Sequence, residues 1–91
     1  MLVARRIVVT GRVQRVGFRF FVEEAATREG LLGYVRNQHD GSVEVVVEGD
    51  AEAVERFEMA VRRGPSLARV DEVDTSVLEP SSRFTSFRIT G

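Results

Sequence analysis

Leu32-Gly33-Tyr34-Val35-Arg36-Asn37-Gln38-His39-Asp40-Gly41-Ser42-Val43-Glu44-Val45-Val46-Val47-Glu48-Gly49 reads as two strands folded about a turn. Leu32 to Asn37 is a short extended run. Val43 to Gly49 is a stronger one, with Val43, Val45 and Val47 on one face and Glu44 and Glu48 on the other. Between them, Asp40-Gly41 is a dipeptide that favours a tight hairpin turn. The two strands are therefore expected side by side and antiparallel.

A helical period flanks this hairpin on each side. Upstream, Phe18, Phe21, Val22 and Ala25 recur at i, i+3, i+4 and i+7, and Gly30 follows as a natural stop. Downstream, Asp50 suits an N-cap. Val54, Phe57 and Val61 then mark a second apolar face, with Ala53 and Ala60 alongside, until Gly64-Pro65 ends it. Further out, alternation returns. Arg6 to Val13 sets Ile7, Val9 and Val13 on one parity around Gly11, and Val70 to Leu78 alternates less regularly. Pro80 to Ser82 breaks the chain, and Phe84, Phe87 and Ile89 suggest a short last strand. The order β-α-β-β-α-β predicts an α+β fold, the ferredoxin-like split βαβ. Two helices cover one face of an antiparallel sheet, and a short C-terminal strand is added.

Composition narrows the chemistry. Ninety-one residues suffice for one domain, spanning 1–91. Apolar residues at 43% and charged residues at 30% indicate a globular chain rather than a disordered one. A net charge of −1 gives no global field toward nucleic acid or membrane. All 13 basic residues are Arg, so lysine Schiff-base chemistry is excluded. The absence of Cys removes disulfides, thiolate nucleophiles and cysteine zinc sites together. His39 is the single histidine, so no metal site is expected. Ile7 to Thr10 is too short for a signal-peptide core, and no apolar run approaches the roughly 20 residues of a membrane span. The expectation is a soluble cytoplasmic protein.

Gln14-Arg15-Val16-Gly17 interrupts the first strand just before the helical period begins at Phe18. A loop that opens a helix has free backbone N–H groups and the positive end of the helix dipole. Such a junction suits an anion. Gly17 permits close approach, and Arg19 in the first turn can fold back with two N–H groups toward one phosphate. On physics alone the same residues also fit an ordinary strand-to-helix turn. Asn37 is open in the same way. Asn is common before turns, and the parity it shares with Val35 aims it at the core unless the strand ends or twists near Arg36.

Gly11-Arg12-Val13-Gln14-Arg15-Val16-Gly17-Phe18-Arg19 resembles the first signature of the acylphosphatases, which runs Gly, any, Val, Gln, Gly, Val, any, Phe, Arg. Gly33-Tyr34-Val35-Arg36-Asn37, followed by Gly41, Val43 and Gly49, resembles the second. The resemblance covers essentially the whole chain. It implies hydrolysis of an acyl phosphate to a carboxylate and inorganic phosphate, with no metal, cofactor or covalent intermediate. It also implies a phosphate site of Gln14, Arg15, Val16, Gly17, Phe18 and Arg19, with Asn37 orienting the attacking water. The implied partner is a small-molecule acyl phosphate, with no nucleic acid and no membrane, and the chain is expected to be a monomer. One position departs from the pattern: Arg15 stands where the family has Gly. A left-handed conformation there costs a side-chain-bearing residue roughly 1 kcal/mol.

Two other functions share this element order. A phosphate-sensing module would bind without turnover. An RNA-binding domain would need aromatics on the open face of its first and third strands. Here those positions hold Val8, Thr10, Glu44, Val46 and Glu48. Arg5, Arg6, Arg12 and Arg15 are candidates for a basic patch guiding an anion, or for a solvated edge. Glu23 and Glu24 are expected to balance Arg28 on the polar side of the first helix. Phe20 lies off the apolar stripe beside Arg19, where it can cover another helix or a substrate's acyl group.

Overall fold

Alternating β-branched residues carry β1 from Leu2 to Arg12, four residues earlier than the sequence pattern places its start. The computed structural model describes residues 1–91. Helix α1 spans Phe18–Arg28, β2 Leu32–Asn37, β3 Val43–Asp50, α2 Ala51–Arg63, β4 Arg69–Leu78 and β5 Phe87–Thr90. Asp50 caps α2 as expected, its carboxylate accepting from the Glu52 N–H at 3.2 Å. Gly30, at φ 71°, and Gly64, at φ 68°, end the two helices in left-handed conformations.

The sheet order is β4-β1-β3-β2-β5. Ile7 and Val35 both pair with Val45, which puts three fully buried aliphatic residues in a row beneath the helices. Phe18 and Val22 of α1 and Phe57 and Val61 of α2 close over that row, all within 1% of complete burial. Core residues of this size each contribute roughly 1.5–3 kcal/mol. Between Thr10 and Gly11 the register of β1 against β4 slips. Gly11, at φ 126°, makes the slip possible, because a Cβ there would run into the Arg69 carbonyl oxygen. The slip lies just before β1 gives way to the loop, so the strand's exit is set by backbone geometry.

The four expected strands are antiparallel, but β5 pairs with β2 in parallel. The reason is topological. β4 and β5 lie at opposite edges of the sheet, and residues 79–86 must cross its full width. The crossing delivers the chain to the end of the sheet where β2 also begins.

This crossing changes the face opposite the helices, which the sequence pattern leaves open and acidic. Glu44 and Glu48 are buried, with only 5% and 3% of their surface exposed. Glu48 accepts from the Ser81 N–H and Oγ, each at 2.7 Å, and from the Ser82 N–H at 3.1 Å. Glu44 accepts from Arg6 at 2.7 Å and Arg36 at 2.6 Å, with the Tyr34 hydroxyl at 3.3 Å. Phe84 packs on Tyr34, ring centres 6.1 Å apart. Burial pushes both carboxyls up. The hydrogen bonds from Ser81 and Ser82, and those from Arg36 and Arg6, outweigh it and hold both below the ordinary glutamate range.

A carboxyl with a depressed folded pKa stabilises the fold above its unfolded pKa and loses that contribution as pH falls. Stability is therefore expected to fall as pH drops below about 4.5, the ordinary glutamate value. Glu44→Gln should flatten that acid limb and cost about 1–2 kcal/mol at neutral pH, because Arg6 and Arg36 stay half in water. Urea titrations at a series of pH values measure both effects, and an unchanged acid limb in the variant would contradict the assignment.

Candidate active site

Two buried side chains pin the loop between β1 and α1. Val13 at its start and Phe18 at its end are each 1% exposed. Between them the backbone turns twice through the left-handed region, at Arg15 with φ 63° and at Gly17 with φ 76°. Left-handed turns of this kind gather successive N–H groups on one side of a loop and make a concavity for an anion. The N–H groups of Arg15, Val16, Gly17, Phe18 and Arg19 donate to no group of the protein. Arg15 thus occupies a backbone state that glycine adopts without strain, which is why the signature has Gly there.

The contrast with α2 is informative. That helix has an Asp cap and Glu52 in its first turn. Helix α1 begins on left-handed Gly17, with no side-chain cap and no acidic residue in its first turn. Glycine in place of a capping side chain costs a helix only about a few tenths of a kcal/mol. Here it leaves the positive end of the dipole un-neutralised beside two guanidinium groups, Arg15 and Arg19, that make no ion pair.

Gln14 fastens this loop to the hairpin. Its side-chain N–H groups donate to the Gln38 carbonyl at 2.8 Å and the Ser42 carbonyl at 2.9 Å. Ser42 also closes the turn, its carbonyl accepting from the Gln38 N–H at 2.8 Å. Asp40 accepts from the Ser42 N–H and hydroxyl, and those bonds hold its carboxyl below the usual range. The loop and the turn are one hydrogen-bonded unit, and Asn37 stands at the turn's foot.

Asn37 is the last residue of β2 and pairs across the ladder with Val43. It keeps the parity of Val35. Because the strand ends there, the side chain meets the loop rather than the core, and no twist is needed. Its Oδ1 is buried and accepts from no group of the protein. A buried carbonyl left this way calls for a partner, and water is a natural one.

Arg15, Gly17, Phe18, Arg19 and Asn37, with Val13 and Phe20, line one pocket of about 130 Å³. That is well below the roughly 300–1,000 Å³ of a site that engulfs an organic ligand. It suits a small anionic head group. Of the six residues expected at the phosphate, Gln14 and Val16 do not line it. Gln14 is spent on the hairpin, and Val16 packs against the core. Val13 and Phe20 were not among the expected site residues. Phe20's place off the apolar stripe was the signal for the latter. The four-arginine patch does not assemble, because Arg6 has the parity of the opposite face and is tied to Glu44.

Gly17→Ala is expected to cost about 1 kcal/mol through backbone strain alone, since nothing within 4 Å would meet the new methyl. Arg15→Gly should change stability by less than about 0.5 kcal/mol, because strain relief and the freer unfolded chain offset one another. Gln14→Ala should cost about 1–2 kcal/mol, because both hairpin carbonyls lose a donor. Urea midpoints of the three variants against the parent check this order.

With the geometry in place, the chain can be set beside known proteins. The family profile described as Acylphosphatase matches residues 5–89. An acylphosphatase of Koribacter versatilis (strain Ellin345) is 47% identical over 87 residues, covering 96% of this chain and 79% of that one. The crystal structure of acylphosphatase from Bacillus subtilis superposes with a TM-score of 0.94 at 37% identity, over the full length of both chains. Full-length HypF, in its phosphate- and nucleotide-bound form, contains a similar fold at TM-score 0.89 and 32% identity; the match takes in all of this chain and 12% of that one. The chain belongs to the acylphosphatases, a family of enzymes that hydrolyse acyl phosphates.

Proposed function

We propose that this chain hydrolyses acyl phosphates without a metal ion, using the loop amides and Arg19 to hold the phosphoryl group and Asn37 to orient water. The observation that carries the reading is that Arg15, Gly17, Phe18, Arg19 and Asn37 line one small pocket, while the loop N–H groups and Asn37 Oδ1 have no partner in the protein and Arg19 makes no ion pair. Arg15 adds a second cation at the same place. No cluster of three His, Cys, Asp or Glu side chains suited to a metal stands in the fold. The substrate is a small molecule and the working unit a monomer. No helix is long and apolar enough to cross a membrane, and we place the protein in the cytoplasm.

The steps follow from the groups present. The phosphoryl oxygens accept from the loop N–H groups, and the Arg19 guanidinium grips two of them. Asn37 Oδ1 accepts one hydrogen of a water and aims its oxygen at phosphorus. That oxygen forms a bond to phosphorus in line with the departing carboxylate. The phosphorus–oxygen bond to the acyl group breaks, and its electron pair leaves with the carboxylate. Asn37 cannot serve as a strong base, so the water's surplus proton passes to a phosphoryl oxygen. The products are a carboxylate and dihydrogen phosphate. Carboxylate is a good leaving group, so positioning and charge stabilisation supply most of the acceleration.

Benzoyl phosphate hydrolysis tests this. Arg19→Ala is expected to lower kcat/KM by about 100- to 1,000-fold and to weaken phosphate inhibition. Asn37→Ala should fall mainly in kcat and keep phosphate inhibition. A chelator should leave the rate unchanged. Tight phosphate binding by a parent protein with no turnover would instead mark a sensor, and rescue of a chelated protein by a divalent ion would overturn the metal-free mechanism.

A further inference from the structure

A pocket of about 130 Å³ has room for a phosphoryl group and leaves the rest of an acyl phosphate outside. In-line displacement fixes where that remainder goes, because the leaving oxygen lies across phosphorus from the attacking one. Water held by Asn37 approaches from the end of β2, on the sheet side. The acyl group must then leave away from the sheet, over the outer side of α1.

Phe20 stands there. It is two positions beyond Phe18, about 200° around the helix, so it points away from the core that Phe18 enters. It is 67% exposed and packs on no other aromatic ring, although it helps line the phosphate pocket. An apolar ring is thus displayed at the rim with most of its surface open to solvent. From Phe20 the outer side of α1 continues past Glu23, Glu24 and Thr27 as an open groove of about 510 Å³. Glu24 is paired with Arg28 at 3.8 Å, whereas Glu23 has no cation partner. The expected balancing of both acids by Arg28 therefore holds for Glu24 alone.

We propose that Phe20 is a specificity residue whose ring receives the acyl group, and that Glu23 one turn on disfavours acyl groups bearing a further negative charge. The preferred substrates are then acyl phosphates with a neutral, apolar or aromatic acyl group. This rests on the enzymatic reading above. An aromatic acyl group gains by offset packing on the Phe20 ring, while an acetyl group is too short to reach far along it. An acyl carboxylate placed over the same ring comes close to Glu23 and is repelled.

The test compares benzoyl phosphate, acetyl phosphate and 4-carboxybenzoyl phosphate across the parent, Phe20→Ala, Phe20→Leu and Glu23→Gln. Phe20 is exposed, so these variants should fold, and circular dichroism checks it. Phe20→Ala should lower kcat/KM for benzoyl phosphate about tenfold, mainly through KM. Acetyl phosphate turnover and phosphate inhibition should change much less than benzoyl phosphate turnover, since the Phe20 ring lines the head-group pocket but supplies no donor to it. Phe20→Leu should restore part of the loss. Glu23→Gln should raise kcat/KM for 4-carboxybenzoyl phosphate about threefold at low salt and leave benzoyl phosphate unchanged. An equal fall for benzoyl and acetyl phosphate in Phe20→Ala would overturn the role of the ring, and an unchanged charge preference in Glu23→Gln would overturn that of the acid. A parent that turns over no acyl phosphate removes the enzymatic reading and this inference with it; a parent whose aromatic preference ignores Phe20 removes the inference alone.

Discussion

Two hydrogen bonds from one side chain hold the site together. Gln14 reaches from the loop to the Gln38 and Ser42 carbonyls, across 24 and 28 residues of sequence. Without that link, the loop between β1 and α1 and the strand carrying Asn37 would meet only through the core beneath them. With it, the loop's amides and the Asn37 amide oxygen share one rigid frame. Preorganisation of this kind matters most where catalysis relies on position rather than on strong acids or bases. The Gln of the signature thus acts from behind the pocket, not inside it.

The site also gathers in one place features that the rest of the fold shows singly, where Ser82 is likewise left-handed and the Thr75 hydroxyl likewise buried without a partner. Elsewhere, helix ends are capped and buried acids are paired with several donors each. At the loop, a helix starts without a cap, a side-chain-bearing residue sits left-handed, a carbonyl oxygen is buried alone and two arginines lack partners. The left-handed side chain costs about 1 kcal/mol and the lone buried carbonyl about 1–3 kcal/mol, whereas the glycine cap and the solvated arginines cost little. Together they supply the free donors, cation and acceptor that the proposed site for phosphate and water requires. The stable remainder of the fold, with its aliphatic row at Ile7, Val45 and Val35, tolerates that local deficit.

What could be read from the sequence was what depends on near neighbours. The hairpin around Asp40-Gly41, the two amphipathic helices and the Asp50 cap are each set by residues within a few positions, and all appear as expected. The family pattern pointed to the loop and to Asn37, and the pocket lined by Arg19 and Asn37 brings those two segments together. Features joining distant segments were not legible. Nothing local in Gln14 says that its partners are in a turn two elements later. Glu44 and Glu48 look like solvated acids until the crossing segment and the flanking arginines are placed over them. The parallel pairing of β5 follows only from where β4 ends.

That crossing has one further outcome. A strand at the margin of a sheet exposes unpaired backbone groups that invite another chain to add to it. By carrying β5 across to β2, residues 79–86 remove that exposure from the strand that bears Asn37. The margin left bare on the other side belongs to β4, where Arg69, Asp71, Glu72 and Asp74 are all exposed. A row of charges resists edge-to-edge addition. The fold thus covers the strand that bears Asn37 with β5, which becomes one edge of the sheet, and lines the other edge, β4, with charge.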